Sequence, residues 1–285
     1  MYDFPIGAIV DSFRCDTKEA VKKAAAIGIK GLQMYCTRGA HGPENFGKDQ
    51  RRELLEYVKD HGMVFSAICG DLGRGFGDPA LNPELIEQSK RIMDMAKDFE
   101  TNIVTTHIGV VPADKNHDRY KIMQEACYEL ARYADSIGSH FAVETGPEPS
   151  AVLAEFLDSL DSTGVAVNLD PANLVMVTGD DPVQAVYNLR RYIVHTHAKD
   201  GVKLADGNPE YIYRVVHPIP EEVQGVKYFK EVPLGTGSVD FAKYLAALDD
   251  IGYRGFLTIE REVGDDPARD IKIAYDHLEK VIHEN

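Results

Sequence analysis

The sequence predicts an α/β protein of the (β/α)₈-barrel class, folded as a single domain over residues 1–285. Two observations lead to this prediction. Short apolar segments rich in Val, Ile, Phe and Thr alternate with amphipathic segments along the whole chain, a pattern typical of parallel strands joined by helices. The chain of 285 residues also matches the length of about 250 that one such barrel requires.

Eight strands are predicted, each followed by a helix. Their near-continuous apolar runs favour strands that are covered on both faces. The predicted strands span residues 5–10, 29–35, 63–69, 102–109, 139–146, 164–171, 193–200 and 253–260. In the helical segments, apolar residues recur at i, i+3, i+4 and i+7, which gives each helix one face for the sheet. The predicted helices span residues 18–28, 50–62, 83–99, 120–138, 149–160, 182–192, 239–252 and 268–280.

Several helix ends carry a recognisable signal. Glycine adopts the left-handed conformation at little cost, so a glycine directly before the next strand is predicted to end a helix. This applies to Gly28, Gly62, Gly138 and Gly252. Asn82 before Pro83 and Asp181 before Pro182 are predicted N-caps.

Two segments fall outside the strand and helix pattern. Residues 201–237, after the seventh strand, contain several prolines, aromatic residues and His217, and we expect them to form a long irregular loop over the barrel mouth. The glycine-rich segment 70–77 follows the third strand and does not open directly into a helix, so it is interpreted as a flexible loop rather than a dinucleotide-binding fingerprint.

Composition excludes several classes of partner. The formal net charge of −15 opposes binding to nucleic acid. The chain contains no apolar run of membrane-spanning length, and its N-terminus lacks a secretory signal, so we expect a cytoplasmic protein without a membrane partner. Four scattered cysteines without a CxxC pair are predicted to be reduced.

Polar residues end five consecutive strands, where side chains of such a barrel meet at one mouth. They are His107, Glu144, Asp170, His197 and Glu260. Each residue alone has an ordinary explanation as a helix cap, an ion-pair partner or a packed histidine. Two glutamates, an aspartate and a histidine on four successive strand ends would be costly to bury without a cation, and this donor set suits Mn²⁺, Co²⁺, Zn²⁺ or Mg²⁺.

Five segments of the chain resemble a known family. They are VETGPEP (143–149), NLDPAN (168–173), HTHAKD (195–200), EVPLGTGSVDF (231–241) and GFLTIERE (255–262). These segments resemble the xylose isomerase-like TIM-barrel superfamily, and within it the sugar phosphate isomerase/epimerase branch that contains the D-tagatose 3-epimerase-like enzymes. The resemblance extends over nearly the whole chain and is specific for the superfamily rather than for a substrate.

The resemblance implies a metal site and a pair of catalytic residues. Glu144, Asp170, His197 and Glu260 match the ligands of one divalent metal ion, for which Mn²⁺ is our first expectation and Co²⁺, Mg²⁺ and Zn²⁺ are alternatives. Glu144 and Glu260 also match the two glutamates that move protons on opposite faces of the substrate. The implied reaction is isomerisation or epimerisation of a sugar or polyol-derived ketone by proton abstraction and a metal-stabilised enediolate.

Four further residues are predicted to bind the substrate. They are His107, Asn173, Lys199 and Glu148. Many relatives of the epimerase type carry His where this chain has Asn173, which weakens the match to ketose 3-epimerases. His195 is expected to orient a ligand or to be packed in the barrel, and strand alternation sends Arg261 outward unless the strand has already ended.

Other functions remain open at this stage. Relatives on the same barrel include lyases of the inosose dehydratase type and of the type that eliminates aglycones from 3-keto-glycosides, and a non-catalytic sugar-binding subunit is a further alternative. Endonucleases of the endonuclease IV type would need a histidine at position 173, which the chain lacks. No glycine-rich phosphate cradle is evident at the seventh and eighth strands, which favours a non-phosphorylated carbohydrate. A homodimer or homotetramer is possible.

Overall fold

The computed structural model describes residues 1–216 and 218–284. Within these residues, eight parallel strands close into a barrel, which confirms the predicted fold class. The barrel strands are β1 (Ile6–Ile9), β2 (Gly31–Tyr35), β3 (Val64–Cys69), β4 (Ile103–Thr106), β5 (His140–Glu144), β6 (Val165–Leu169), β7 (Ile193–Ala198) and β10 (Leu257–Ile259). They follow one another in chain order around the barrel, and β10 closes it by pairing with both β7 and β1.

Helices cover the outside of the barrel. The structure contains α1 (Thr17–Ile27), α2 (Lys48–Asp60), α3 (Asn82–Asp98), α4 (Asp118–Ile137), α5 (Ser150–Asp158), α6 (Pro171–Asn173), α7 (Pro182–Leu189), α8 (Pro209–Ile212), α9 (Phe241–Asp250) and α10 (Pro267–Glu284). The short α6 runs directly into a π-helical turn, and three 3₁₀ turns occur at Asp11–Phe13, Gly39–His41 and Glu221–Val223. Among the described residues, no helix has the length and apolar character needed to cross a membrane.

Most predicted helix ends are confirmed. Gly28 and Gly138 have φ angles of 110° and 59°, and their N–H groups bond back to carbonyls of α1 and α4. Asp181 caps α7 by accepting a hydrogen bond from the Val183 N–H. The prediction for Asn82 was wrong: it is the first residue of α3, and its Nδ2 donates to the Phe76 carbonyl at 3.0 Å. Asn82 therefore fastens the glycine-rich loop instead of capping the helix.

The barrel strands are shorter than predicted. Pairing in β4 stops at Thr106 and in β10 at Ile259, although the residues that follow are still apolar or buried. As a result, His107, Asp170 and Glu260 each lie directly beyond the last residue of a strand. This is the position from which side chains point into the barrel mouth.

The segment after β7 is more ordered than the sequence suggested. Its two ends form an antiparallel pair, β8 (Asp200–Lys203) and β9 (Phe229–Val232), so the prediction of a wholly irregular loop was wrong there. Buried Asp200 holds the returning chain, since its carboxylate accepts hydrogen bonds from the N–H groups of Gly235, Gly237 and Val239 at 2.8–3.1 Å. His217 lies outside the described residues.

A buried ion network fastens this hairpin to the barrel. Strand β10 has ended before Arg261, so alternation no longer applies and the side chain turns inward, leaving the residue 8% exposed. Its guanidinium lies 2.5 Å from Glu231 on β9 and 2.7 Å from Asp270 on α10. Because both partners are carboxylates from different elements, Arg261 fixes β9 against the end of the barrel.

Glu148 is a buried carboxyl group in the loop that follows β5. One oxygen, Oε2, accepts a hydrogen bond from the Val111 N–H at 2.9 Å, and the other has no hydrogen-bond partner among the described residues. Burial raises the pKa of Glu148 to about 8, although the Val111 N–H and His107 act in the opposite direction. The folded chain therefore favours the protonated form of this group.

This arrangement predicts a specific pH dependence of stability. A carboxyl whose folded pKa is raised stabilises the fold fully below its unfolded pKa of 4.5, and this contribution is lost as pH rises through about 8. The loss amounts to at most about 5 kcal/mol. In Glu148→Gln, we expect the free energy of unfolding from urea titrations to fall less between about pH 5 and about pH 9 than in the wild type.

The control is Glu155→Gln, at a side chain that is 64% exposed. It should leave the pH profile unchanged. An identical profile in wild type and Glu148→Gln would contradict the assignment of a buried, protonated Glu148.

Candidate metal centre and active site

The structure brings four predicted ligands together at the barrel mouth. Glu144, Asp170, His197 and Glu260 come from the C-terminal ends of β5, β6, β7 and β10, and one donor atom of each lies within 4.8 Å of the others. His197 Nδ1 is 3.3 Å from Glu260 Oε2 and 3.6 Å from one oxygen each of Glu144 and Asp170. None of the four residues is more than 7% exposed.

Asp170 shows how one residue can cap a helix and still offer a ligand. Its Oδ1 accepts a hydrogen bond from the Asn173 N–H at 2.9 Å and so caps α6. Its Oδ2 is buried and has no hydrogen-bond partner among the described residues. An unpaired carboxylate oxygen in a dry interior is costly, and it faces three other potential ligands. The donor set therefore fits a divalent cation.

The orientation of His197 is set from the barrel interior. Its Nε2 lies 3.2 Å from Gln33 Oε1 and 3.1 Å from Asn168 Nδ2, which leaves Nδ1 facing the carboxylates. His195, one layer deeper, is held by the same Gln33 oxygen and by Thr258 Oγ1, both at 3.0 Å. Burial lowers the pKa of His195 to about 3, with His197 adding to the effect, so its ring is neutral.

The two glutamates have different surroundings. Glu144 accepts hydrogen bonds from Asn173 Nδ2 at 2.8 Å and Asn168 Nδ2 at 3.3 Å, which are both uncharged donors. Glu260 instead lies 2.9 Å from the ammonium group of Lys199. Burial raises the pKa of Glu144 to about 7, whereas for Glu260 the charges of Lys199 and His197 outweigh burial and lower the pKa below its usual value.

Lys199 is a buried cation at the edge of the cluster. Besides Glu260, its Nζ contacts Glu262 Oε2 at 2.6 Å, and the Glu262 backbone N–H donates a hydrogen bond to the Glu231 carboxylate on the hairpin. Burial alone would lower the pKa of Lys199, but Glu260 and the other nearby carboxylates raise it well above its usual value. Lys199 therefore carries a fixed positive charge beside the candidate ligands.

His107 lies on the opposite side of the cluster and has a partner that the sequence analysis missed. Its Nδ1 is 3.1 Å from Asp71 Oδ2, and its Nε2 points toward Glu144 at 3.7 Å. Burial opposes protonation, but Glu144 and Asp71 outweigh it and raise the pKa of His107 to about 9. Asp71 thus fixes the ring with one nitrogen directed toward the candidate ligands.

A cavity of about 200 Å³ opens above these groups. Its floor carries His107, Glu144, Lys199 and Glu260, and its cover comes from the segment after β7 and the π-helical turn. The covering side chains are Met176, Val177, Ile212, Tyr213 and Phe229. A polar floor beneath an apolar cover suits a small polyhydroxylated molecule that presents its polar side to the barrel.

Three of the four residues predicted to bind the substrate line this cavity. His107, Asn173 and Lys199 line it, and Asn173 also bonds directly to Glu144. Glu148 is not among the residues that line it within the described chain. Asp71, Tyr213 and Glu231 line the cavity but were not predicted, because they lie in segments without strand or helix periodicity. Two of them had a signal in the sequence: Asp71 lies in the glycine-rich segment, and Glu231 begins one of the five segments that resemble the family.

Comparison with known proteins agrees with this fold. Residues 21–281 match the family model described as xylose isomerase-like TIM barrel. The chain is 23% identical to an inosose isomerase from Bacillus licheniformis over 243 residues, which is 79% of this chain and 81% of that protein. It is 26% identical to an inosose dehydratase from Clostridium perfringens over 157 residues, covering 54% of this chain but only 50% of the dehydratase.

Solved structures show the same barrel. A xylose isomerase domain protein from Planctomyces limnophilus superimposes with a TM-score of 0.81 at 24% identity, over 99% of both chains. A D-tagatose 3-epimerase-like protein superimposes with a TM-score of 0.74 at 18% identity, also over 99% of both chains. With a family model that spans most of its length, this chain belongs to the xylose isomerase-like TIM-barrel family.

Proposed function

We propose that the protein is a divalent-metal-dependent enzyme that isomerises or epimerises a sugar or polyol-derived ketone by moving a proton next to the carbonyl group. The observation that supports this proposal is the buried cluster of Glu144, Asp170, His197 and Glu260 below a cavity of sugar-like size. The cluster combines candidate metal ligands with two glutamates in separate environments, and proton transfer beside a ketone needs both.

Glu144, Asp170, His197 and Glu260 would hold the cation. When bound there, a divalent ion supplies an electrophile that polarises the ketone and stabilises the negative charge of the enediolate. Three carboxylates and one imidazole suit Mn²⁺ first, with Co²⁺, Mg²⁺ and Zn²⁺ as alternatives.

Glu144 and Glu260 then divide the proton transfer between them. Lys199 holds Glu260 as a carboxylate, which suits it to take a proton from the carbon beside the ketone. Glu144 faces uncharged amide donors and His107, an arrangement that suits it to return a proton. For the epimeric substrate the two roles are exchanged, because the reverse reaction follows the same path.

The remaining cavity residues would bind and orient the substrate. The ammonium group of Lys199, the ring of His107 and the amide of Asn173 each reach the cavity and can donate hydrogen bonds to hydroxyl or carbonyl oxygens. The cover excludes bulk water from the reacting carbon. A cytoplasmic location and a homodimer or homotetramer stay predictions from the sequence.

A lyase is the second candidate, and the similarity to inosose dehydratase favours it. It would begin with the same proton abstraction but end with the loss of a hydroxyl group or an aglycone. The two reactions differ in their products: reprotonation gives an isomeric ketone, whereas elimination gives an ultraviolet-absorbing enone or a free aglycone.

The proposal predicts exchange of a carbon-bound proton. We expect the metal-loaded protein to introduce deuterium beside the carbonyl of a ketose or keto-inositol in deuterium oxide, as followed by proton NMR across a panel of such ketones. Glu144→Gln and Glu260→Gln should each lower the exchange rate by about 10²–10⁴-fold, because each removes one proton carrier.

The matched control is Glu56→Gln, at a side chain on α2 that is 62% exposed, which should leave the rate unchanged. Exchange that persists in both active-site variants would contradict the roles of Glu144 and Glu260. An enone without isomeric ketone would establish the lyase instead.

Asp71 provides a separate prediction as a positioning residue. Because it holds His107 Nδ1 at 3.1 Å, Asp71→Ala should release the ring and lower kcat by about 10–100-fold. The KM should change less than kcat, since the cavity itself is retained. Asp71→Asn keeps an oxygen that can accept the hydrogen bond and should recover most of the activity; equal losses in the two variants would contradict the positioning role.

A further inference from the structure

A second cleft of about 860 Å³ adjoins the candidate active site. It shares three lining residues with the cavity above the cluster, namely Asp71, His107 and Tyr213, so the two spaces meet at the His107 side. Its walls come from the glycine-rich loop 73–77, the segment after β4 and the turn that follows α8. A substituent of a ligand bound beside His107 would therefore lie next to this cleft.

Three arginines line the cleft. They are Arg74, Arg119 and Arg214. Arg119 pairs with Glu210, and its buried Nε has no hydrogen-bond partner among the described residues. The side chains of Arg74 and Arg214 make no salt bridge within the part of the chain that the structure describes, although each is exposed at the rim. Two unpaired guanidinium groups thus face one cleft of a protein whose net charge is −15.

The two spaces differ in their charge. The cavity over the cluster is lined by five carboxylates, including Glu144 and Glu260, against one lysine and one histidine. Of the three arginines and two aspartates that line the cleft, Arg119 is paired with Glu210 and Asp71 with His107, which leaves Arg74 and Arg214 against Asp78. An anionic group on a ligand would be attracted to the unpaired Arg74 and Arg214 of the cleft, so it would fix which end of the ligand faces the cluster.

The glycine-rich loop makes this cleft possible. At Gly75, which has a φ of +65°, an added Cβ would lie 2.8 Å from the Ile108 carbonyl oxygen, and at Gly77 it would lie 2.8 Å from the Arg119 side chain. The backbone contact at Gly75 therefore requires glycine for the loop to pack closely against the segment after β4, whereas a side chain at Gly77 would displace the flexible Arg119 side chain of α4. The glycine-rich loop therefore packs against a neighbouring segment and is not simply a flexible linker.

We propose that the cleft binds an anionic substituent of the substrate, either a phosphate or a carboxylate, at the end remote from the reacting carbon. The proposal rests on the proposed function in taking the ligand to be the substrate. The anion would then bind beside β3 and β4. The sequence shows no glycine-rich phosphate cradle at β7 and β10, the seventh and eighth strands of the barrel. The overall charge of −15 opposes an extended polyanion, which favours a small anion in a recessed site.

The test uses inorganic anions, so it does not require the substrate. We expect sodium phosphate, sodium acetate or both to raise the Tm of the metal-loaded protein above its value in sodium chloride of equal ionic strength, by about 3 °C at ten times the Kd. The double variant Arg74→Gln/Arg214→Gln should lose this rise. Arg52→Gln/Arg190→Gln removes the same charge from an exposed position on α2 and from the exposed residue that follows α7, and it should retain the rise.

The outcomes distinguish a phosphate from a carboxylate. They also distinguish failure of the anion site from failure of the proposed reaction. A rise with phosphate alone assigns a phosphate group, and a rise with acetate alone assigns a carboxylate. No anion-specific rise, or a rise that persists in Arg74→Gln/Arg214→Gln, overturns the proposal. If Arg74→Gln/Arg214→Gln loses the rise in Tm but no ketone undergoes proton exchange, the anion site is supported and the proposed reaction is contradicted.

Where exchange is found, kinetics supply a second measurement. The double variant should raise KM for an anionic ketone by about tenfold or more while KM for its uncharged analogue stays the same, since only the anionic ketone loses charged hydrogen bonds. Equal effects on both substrates would contradict a specific anion contact.

Discussion

Four ionisable side chains are buried together at the mouth of this barrel, and that burial constrains the rest of the site. Three carboxylates and an imidazole within 4.8 Å of one another repel or compete unless a positive charge lies between them. Lys199 provides one such charge, but it contacts Glu260 alone among the four and leaves the buried Asp170 Oδ2 without a hydrogen-bond partner in the described chain. A divalent cation at the centre of the cluster would satisfy all four groups at once.

The surrounding structure positions this cluster from several directions. Gln33 directs His197 from below, Asn173 holds Glu144 from the side, and Asp71 fixes His107 at the edge. The hairpin of β8 and β9 closes the site from above, and the ion network of Arg261 attaches that hairpin to the barrel. Each contact joins elements that are distant in sequence, so the site depends on closure of the whole barrel rather than on any local motif.

The sequence predicted the barrel and its four candidate ligands because both follow from simple regularities. Strand and helix periods alternate, and side chains at the ends of parallel strands must meet at one mouth. The supporting residues lack such regularities. Asp71 lies in a glycine-rich loop, Tyr213 lies after a short helix within a long connection, and Gln33 is a polar residue inside a strand. Strand β10 ends at Ile259, so strand alternation no longer applies at Arg261 and its side chain points inward. Strand ends are the least certain part of a pattern-based prediction.

Metal content tests the central claim most directly, because the proposed reaction assumes a cation among these four side chains. Elemental analysis by mass spectrometry should find about one divalent ion per chain in the purified, metal-loaded protein, and sharply less in Glu144→Gln/Glu260→Gln, which replaces two of the four ligands. The exposed pair Glu56→Gln/Glu155→Gln should retain the ion. A wild-type protein that holds no metal after loading, or an active-site variant that holds as much as the wild type, would contradict the four-ligand site.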